Sequence, residues 1–514
     1  MSTRQAKPAS RVLNVLMRAL DGVERLGNKL PHPFWLFVIL SGVLALASWG
    51  LSAAGASAVN PATGKTVEAK NLLSVDGVRT MVEDVVKNYT SFPPLGTILV
   101  VMLGVAVAER SGLLAAVLRS GVSRVSPRWV TFALAFTGMV SHVASDAAYV
   151  VLIPLGAMAF RAVGRSPILG IVVAFVSISA GYDASPLITP SDAILSGLTT
   201  AAAHTIDPSY VVTPLANYFF SLASSFVLAA VITLITEKVL ARRAEAMPVD
   251  DDAEQDDLGS LKLGPQERRG LRAALIALVV FAVVLVAALL PASSPLRGEG
   301  GSIVQSPLLT SVAIFLALGF LAAGWAYGKV AGTVTSSRDI PGFMAHGFRE
   351  MAPILVLFFA ISQFLAYFKW TGIGEIVAIH GAELLKAGGV SGPVILLGIL
   401  VVVTVINLVV TSGSAQWALV GPVFVPMLML LDIPPETTQA LYRIADSCTN
   451  AITPMSPYFV MALGFLQRYR KQAGIGTLLS MTIPLSLTLL VVWTVLFFVF
   501  WGFGIPLGPG APVR

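Results

Sequence analysis

Five ionisable residues stand inside otherwise apolar stretches of this 514-residue chain: Asp146, Asp183, Asp192, Arg443 and Asp446. A charge at the centre of a bilayer costs at least ~2.5–3.5 kcal/mol on insertion scales, so each one needs a partner or a task. An arginine there can grip a solute carboxylate through two parallel N–H bonds. The aspartates can bind or exchange a cation. Arg443 and Asp446 are also spaced i,i+3, so a structural ion pair on one helix face is the competing reading. The sequence leaves both open.

Uncharged candidates surround these five. Ser414, Asn450 and Thr453, with the backbone carbonyls around Ala144 and Gly413, are hard oxygen ligands of the kind Na+ takes. Hydroxyls capping the ends of broken helices would look the same. Trp417 begins a half-helix beside a polar tip, where it could stack on a flat solute ring or mark a lipid interface. His142 could relay protons or be a satisfied histidine at a helix end. Pro422, Pro426, Pro435, Pro454 and Pro457 shape the breaks.

The elements that must position these residues are transmembrane. The chain is 55% hydrophobic and 12% charged, against about 25% charged in an ordinary soluble domain. Leu271 to Leu290 holds one charge, Arg272, and Leu478 to Phe503 holds none. Roughly 20 apolar residues suffice for a helix to cross the hydrocarbon layer. No alternating barrel pattern is present, so the spans are helices.

The net charge of +6 sits in short basic loops and does not indicate a nucleic-acid partner. One cysteine, Cys448, rules out an intrachain disulfide and a cysteine metal cluster. The five histidines lack metal-ligand spacing. No Ser/His/Asp spacing or zinc motif suggests a membrane hydrolase. The chain is therefore not expected to be an enzyme.

The organisation follows from loop charges. Residues 1–33 read as a cytoplasmic amphipathic arm, with Arg4, Lys7, Arg11, Arg18, Arg25 and Lys29 holding the N-terminus inside. A first membrane half spans 34–238, with Phe34 to Ala54 leading outward and Pro94 to Leu118 returning. It contains a re-entrant hairpin over about 129–162, with its tip at Ser145-Asp146, and a broken helix over about 166–203. A cytoplasmic linker, 239–270, carries the acidic run Asp250 to Asp257. The second half, 271–514, repeats the order: a hairpin over about 390–431 with its tip at Gly413-Ser414, then a broken helix over about 436–466. The expected fold is an all-α polytopic membrane protein of nine transmembrane helices and two re-entrant hairpins, with the C-terminus outside.

The halves resemble each other. Ile188-Thr189-Pro190 and Ile452-Thr453-Pro454 each follow a serine-containing tip at about the same distance. Loop charges give the two units opposite orientations. Inverted repeats with paired interrupted helices indicate a secondary transporter whose site lies at the repeat interface. Broken helices leave backbone groups unpaired, which hydrocarbon tolerates only around a polar cavity.

Ser412-Gly413-Ser414-Ala415-Gln416-Trp417-Ala418-Leu419, together with the run from Tyr442-Arg443-Ile444-Ala445-Asp446 through Thr453-Pro454-Met455-Ser456-Pro457-Tyr458-Phe459, resembles the p-aminobenzoyl-glutamate transporter (AbgT) family. The resemblance implies a homodimer in a bacterial inner membrane, with a transport core and a scaffold in each subunit. Family members take up p-aminobenzoyl-glutamate or export sulfonamide antimetabolites, with Na+ or H+ as coupling ion and no other cofactor. Carried over residue by residue, it makes Asp192, Ser414, Trp417, Pro435, Arg443, Asp446 and Pro454 transport residues. It places Asp146, Asn407, Asn450, Asp446 and the backbone near Gly413 around the cation. One departure stands out: Gly181-Tyr182-Asp183-Ala184-Ser185 replaces an expected Gly-Phe-Ser-Ala-Asn, so Asp183 brings an extra titratable group. The rival reading is a di- or tricarboxylate or other small-anion carrier on the same inverted-repeat plan.

Overall fold

The computed structural model describes residues 31–60, 64–122, 126–245, 247, 249–250, 262–291, 293–298, 301–302 and 306–514. The N-terminal arm up to residue 30 and the acidic run after Asp250 lie outside the described residues. Seven helices among those described are long and apolar enough to cross a membrane: Pro33–Ala53, Pro93–Arg110, Tyr218–Ala244, Pro265–Leu289, Val312–Ala331, Asp339–Trp370 and Ile475–Phe503. On Pro265–Leu289 the side chains of Leu275, Val279, Val283 and Val286 are all more than half exposed. A continuous apolar face of this kind suits hydrocarbon and would be an association site in water.

Several boundaries differ from the sequence expectation, each for a local reason. Gly112 (φ 85°) ends Pro93–Arg110 and a separate helix, Leu113–Val122, follows, so the expected Pro94 to Leu118 span is two elements. Pro265–Leu289 begins inside the expected linker. Its first turn carries Pro265, and Glu267 accepts from the Gly264 N–H at 2.7 Å and pairs with Arg119. Asp339–Trp370 runs unbroken through Pro353 as one helix of 32 residues. The loop after the first span holds an antiparallel pair, Ser57–Val59 with Thr66–Glu68, and two short helices, Val75–Glu83 and Val85–Thr90. Ile373–Ala387 is a helix that the sequence reading left out.

Four units built from shorter helices form the core that carries the candidate residues. Two are helix–turn–helix pairs: Val130–Ser141 with Ala147–Ala162, joined through a 3-10 turn at His142–Ala144, and Gly392–Asn407 with Gly413–Met429. Two are broken helices: Pro167–Ser179 with Pro190–Ala203, and Pro435–Cys448 with Pro457–Gln467.

They pack across the repeat. Pro190–Ala203 lies on both Gly413–Met429 and Pro435–Cys448, and Pro457–Gln467 lies on Ala147–Ala162 and Pro167–Ser179. A Cβ on Gly156 would meet the Gly170 carbonyl oxygen at 2.6 Å, so only small residues let these two backbones cross. Every residue of Pro167–Ser179 and of Pro435–Cys448 is buried. The first of these is apolar except for Ser177 and Ser179. The second carries Glu436, Gln439, Arg443, Asp446 and Ser447, so polar groups are enclosed and need partners inside the protein.

Candidate functional site

The two breaks place the charged residues. In the first, helix ends at Ser179 and resumes at Pro190, whose fixed φ suits a first helical position. Thr189 and Asp192 form a capping box: Asp192 Oδ2 accepts from the Thr189 N–H at 2.7 Å and from its hydroxyl at 2.8 Å. That leaves Asp192 Oδ1 free to face the other half. Asp183 sits in the break with φ 64°, a left-handed conformation that aspartate tolerates better than most residues. In the second break, Pro435 and Pro457 each open a half-helix.

Arg443 bridges the halves. Its Nη2 donates to Asp192 Oδ1 at 2.7 Å, and its Nη1 lies 3.7 Å from Asp183 Oδ2. The guanidinium is 1% exposed, Asp183 2% and Asp192 7%. The i,i+3 pair with Asp446 that the spacing allowed is not formed. Arg443 turns instead to the aspartates of the first half, because Asp192 offers an oxygen already oriented by its cap. Arg443 Nε and Nη1, both oxygens of Asp183 and Asp446 Oδ1 are buried without a hydrogen-bond partner among the described residues.

Asp446 is held against the tip of the second helix pair. A Cβ on Gly413 would stand 2.8 Å from Asp446 Oδ2, so the approach depends on glycine there. Tyr442 OH donates to the Gly413 carbonyl at 2.5 Å. Asn407 Nδ2 donates to the Asp446 carbonyl, to Thr449 Oγ1 at 2.8 Å and to Asn450 Oδ1 at 3.0 Å, while Asn407 Oδ1 has no partner among the described residues. Three oxygens thus converge on one amide. No group of three or more His, Cys, Asp or Glu among the described residues is placed to hold a metal ion.

Trp417 is 1% exposed. One face packs on Tyr442 at 4.4 Å between ring centroids, and Nε1 donates to Thr199 Oγ1 at 2.9 Å. In this conformation its ring ties the halves together and is not open to a solute. Thr199 completes the tie with a 2.6 Å bond to Gln439 Oε1.

The other predicted residues are placed less centrally. Asp146 is exposed on the turn of the first helix pair, next to Ser145 at φ 46°. That turn is linked to the second half by the stack of Tyr149 on Tyr458 at 4.0 Å. Ser414, Asn450 and Pro454 are half-buried near the second tip and break. Thr453 donates to the Leu408 carbonyl at 2.8 Å, the behaviour of a capping hydroxyl. His142 is buried with Nε2 3.1 Å from the Ile178 carbonyl, as for a histidine at a helix end.

Sequence reasoning missed Tyr442, Gln439 and Thr199. The signal available was polar side chains recurring inside apolar helices, which attention to charge alone passed over. A cavity of about 300 Å³ lined by Lys87, His204, Lys369, Phe92 and Phe368 lies apart from these residues.

A family model for AbgT transporters matches residues 18–514. The chain belongs to the AbgT family. This AbgT protein is 37% identical over 489 residues, 95% of each chain, to the p-aminobenzoyl-glutamate transport protein of Escherichia coli (strain K12). It is 42% identical to the Alcanivorax borkumensis YdaH transporter, with a TM-score of 0.88 covering 93% of this chain and all of that one. It is 40% identical to Neisseria gonorrhoeae MtrF, whose structure is described as illuminating a class of antimetabolite efflux pumps. There the TM-score is 0.89, covering 96% of this chain and all of that one. The AbgT protein is accordingly a multi-span membrane transporter and not an enzyme.

Proposed function

We propose that this AbgT protein is an ion-gradient-driven secondary transporter of p-aminobenzoyl-glutamate-like aryl amides and of sulfonamide antimetabolites. The observation that carries the reading is the enclosed cluster in which Arg443 of one broken helix meets Asp192 and Asp183 of the other. A charged cluster at the meeting point of two broken helices is what a solute-binding midplane site requires. A solute carboxylate can accept from Arg443 Nη1, which lacks an acceptor. The relatives named for p-aminobenzoyl-glutamate transport and antimetabolite efflux support the solute class.

Ion coupling follows from charge. Among the described residues, Asp183, Asp192 and Asp446 stand against Arg443, three buried carboxylates for one guanidinium. Such an excess of negative charge at membrane depth requires a cation or protons to balance it. The oxygens around Asn407, together with Asp446, Asn450 and the Gly413 backbone, are the proposed Na+ ligands. Asp183 is the added titratable group through which H+ could substitute. Asp146, on the first turn, completes the set as that half-site closes. Ser414, Pro435 and Pro454 position the second tip and break, and Trp417 opens the site to the aryl ring by leaving Tyr442.

In this reading the seven long helices and the two broken ones make nine passes, and the two helix pairs are re-entrant. The subunits form homodimers in a bacterial inner membrane with the N-terminus cytoplasmic. Uptake of labelled p-aminobenzoyl-glutamate by Arg443→Ala tests the assignment: uptake should be lost, and intact uptake would remove Arg443 from the site. Competition by succinate or citrate at equal strength would favour the di- or tricarboxylate carrier instead.

A further inference from the structure

Asp183 stands at the place where a solute carboxylate would bind, yet it is itself an anion. It is 2% exposed and held at φ 64°. Its Oδ2 lies 3.7 Å from Arg443 Nη1, near enough for charge attraction and too far for a hydrogen bond. Neither of its oxygens has a well-formed hydrogen bond from a described residue; the Ser191 hydroxyl, the polar group beside it, is shared with Tyr182 OH. On the facing side, Arg443 Nη2 is occupied by Asp192 at 2.7 Å, whereas Nε and Nη1 have no acceptor. A guanidinium with two unfilled donors thus faces a carboxylate with two unfilled oxygens, across a gap that neither closes.

A solute carboxylate that accepted from Arg443 Nη1 would bring a second negative group against Asp183, in a site that already holds Asp192 and Asp446. Like charges at such separations repel strongly where water is excluded. A solute with a neutral polar group meets no such repulsion and can donate to the free oxygens of Asp183.

We propose that Asp183 is a tethered competitor for Arg443 that sets this protein's solute preference, disfavouring aryl amides that present a carboxylate and favouring carboxylate-free ones of the sulfonamide class. The proposal rests on the reading above that solutes bind at Arg443. Asp183 is a specificity-determining residue in this account: it acts on the solute by charge, from the second face of the arginine.

The test uses the purified full-length protein and two labelled probes, p-aminobenzoyl-glutamate and sulfanilamide, with dissociation constants measured by equilibrium dialysis. Asp183→Asn keeps the shape and tolerates a left-handed backbone. Asp183→Gly removes the side chain and suits the positive φ, so the two variants perturb the backbone and the packing differently, and each is checked for a monodisperse elution profile before binding is measured. Both should bind the glutamate conjugate about tenfold more tightly or better, with sulfanilamide unchanged, so that the ratio of the two constants moves. A purely structural role would move both constants together. An unchanged ratio in both variants, with the wild type binding both probes, overturns the proposal and leaves the proposed function standing. A wild type that binds neither probe while Asp183→Asn gains the glutamate conjugate supports the competitor role. Absence of binding by all three proteins overturns both.

Discussion

Replacing Arg443 by Met should destabilise the protein more than replacing Asp192 by Asn, although the two side chains share one 2.7 Å bond. Removing Arg443 leaves Asp192 and Asp183 buried without a counter-charge, and breaking a buried pair by deleting one partner costs about 3–5 kcal/mol. Two carboxylates are stranded here, so the upper end applies. Asp192→Asn is milder, because the asparagine oxygen can still accept from Nη2 and Asp183 remains 3.7 Å from Nη1. Its loss is a charge-assisted bond and part of the Thr189 cap, about 1.5–3 kcal/mol. The expected gap is about 2 kcal/mol or more. The double variant should be less destabilised than the sum of the singles, with a coupling of about 2 kcal/mol, since once Arg443 is gone the loss of one stranded charge is relief. The assay is a double-mutant cycle of unfolding free energies in mixed micelles. Equal costs for the two singles, or simple additivity, would refute the reasoning that Arg443 serves two aspartates.

Three further outcomes follow from the same geometry. Trp417→Phe keeps the contact with Tyr442 but loses the bond to Thr199, so it should lower stability by about 1 kcal/mol in thermal unfolding. Gly413→Ala drives a Cβ to 2.8 Å from Asp446 Oδ2, which should cost about 1–3 kcal/mol and abolish solute uptake in proteoliposomes; wild-type uptake would mean the close approach is dispensable. Asn407→Leu strips the donor from the Asp446 carbonyl, Thr449 and Asn450, so it should destabilise the protein by about 1–3 kcal/mol and weaken cation dependence, read as the Na+ concentration for half-maximal uptake.

The sequence made some of this legible. Membrane-length apolar blocks and the charges set inside them pointed to Arg443, Asp183 and Asp192, which the structure brings together, whereas the Ser145-Asp146 tip stays exposed. What it did not reveal is partner choice. The spacing of Arg443 and Asp446 suggested a pair on one helix, but a capping box 251 residues away had already aimed Asp192 Oδ1 at the guanidinium. Trp417 read as a platform for a solute ring, because sequence alone cannot show that Tyr442, 25 positions on, already covers it. The Gly112 break was missed because it depends on a backbone angle that tertiary packing sets. Neutral polar residues such as Gln439 carry no charge signal, and their roles emerge only when every buried donor is assigned an acceptor.

The most direct test of the central claim is uptake of labelled p-aminobenzoyl-glutamate into liposomes holding the purified protein, under an imposed Na+ gradient or an imposed pH gradient, with Asp446→Ala as control. The account predicts saturable movement driven by a cation gradient and lost in the variant. Movement that ignores both gradients, or that survives Asp446→Ala undiminished, would contradict it.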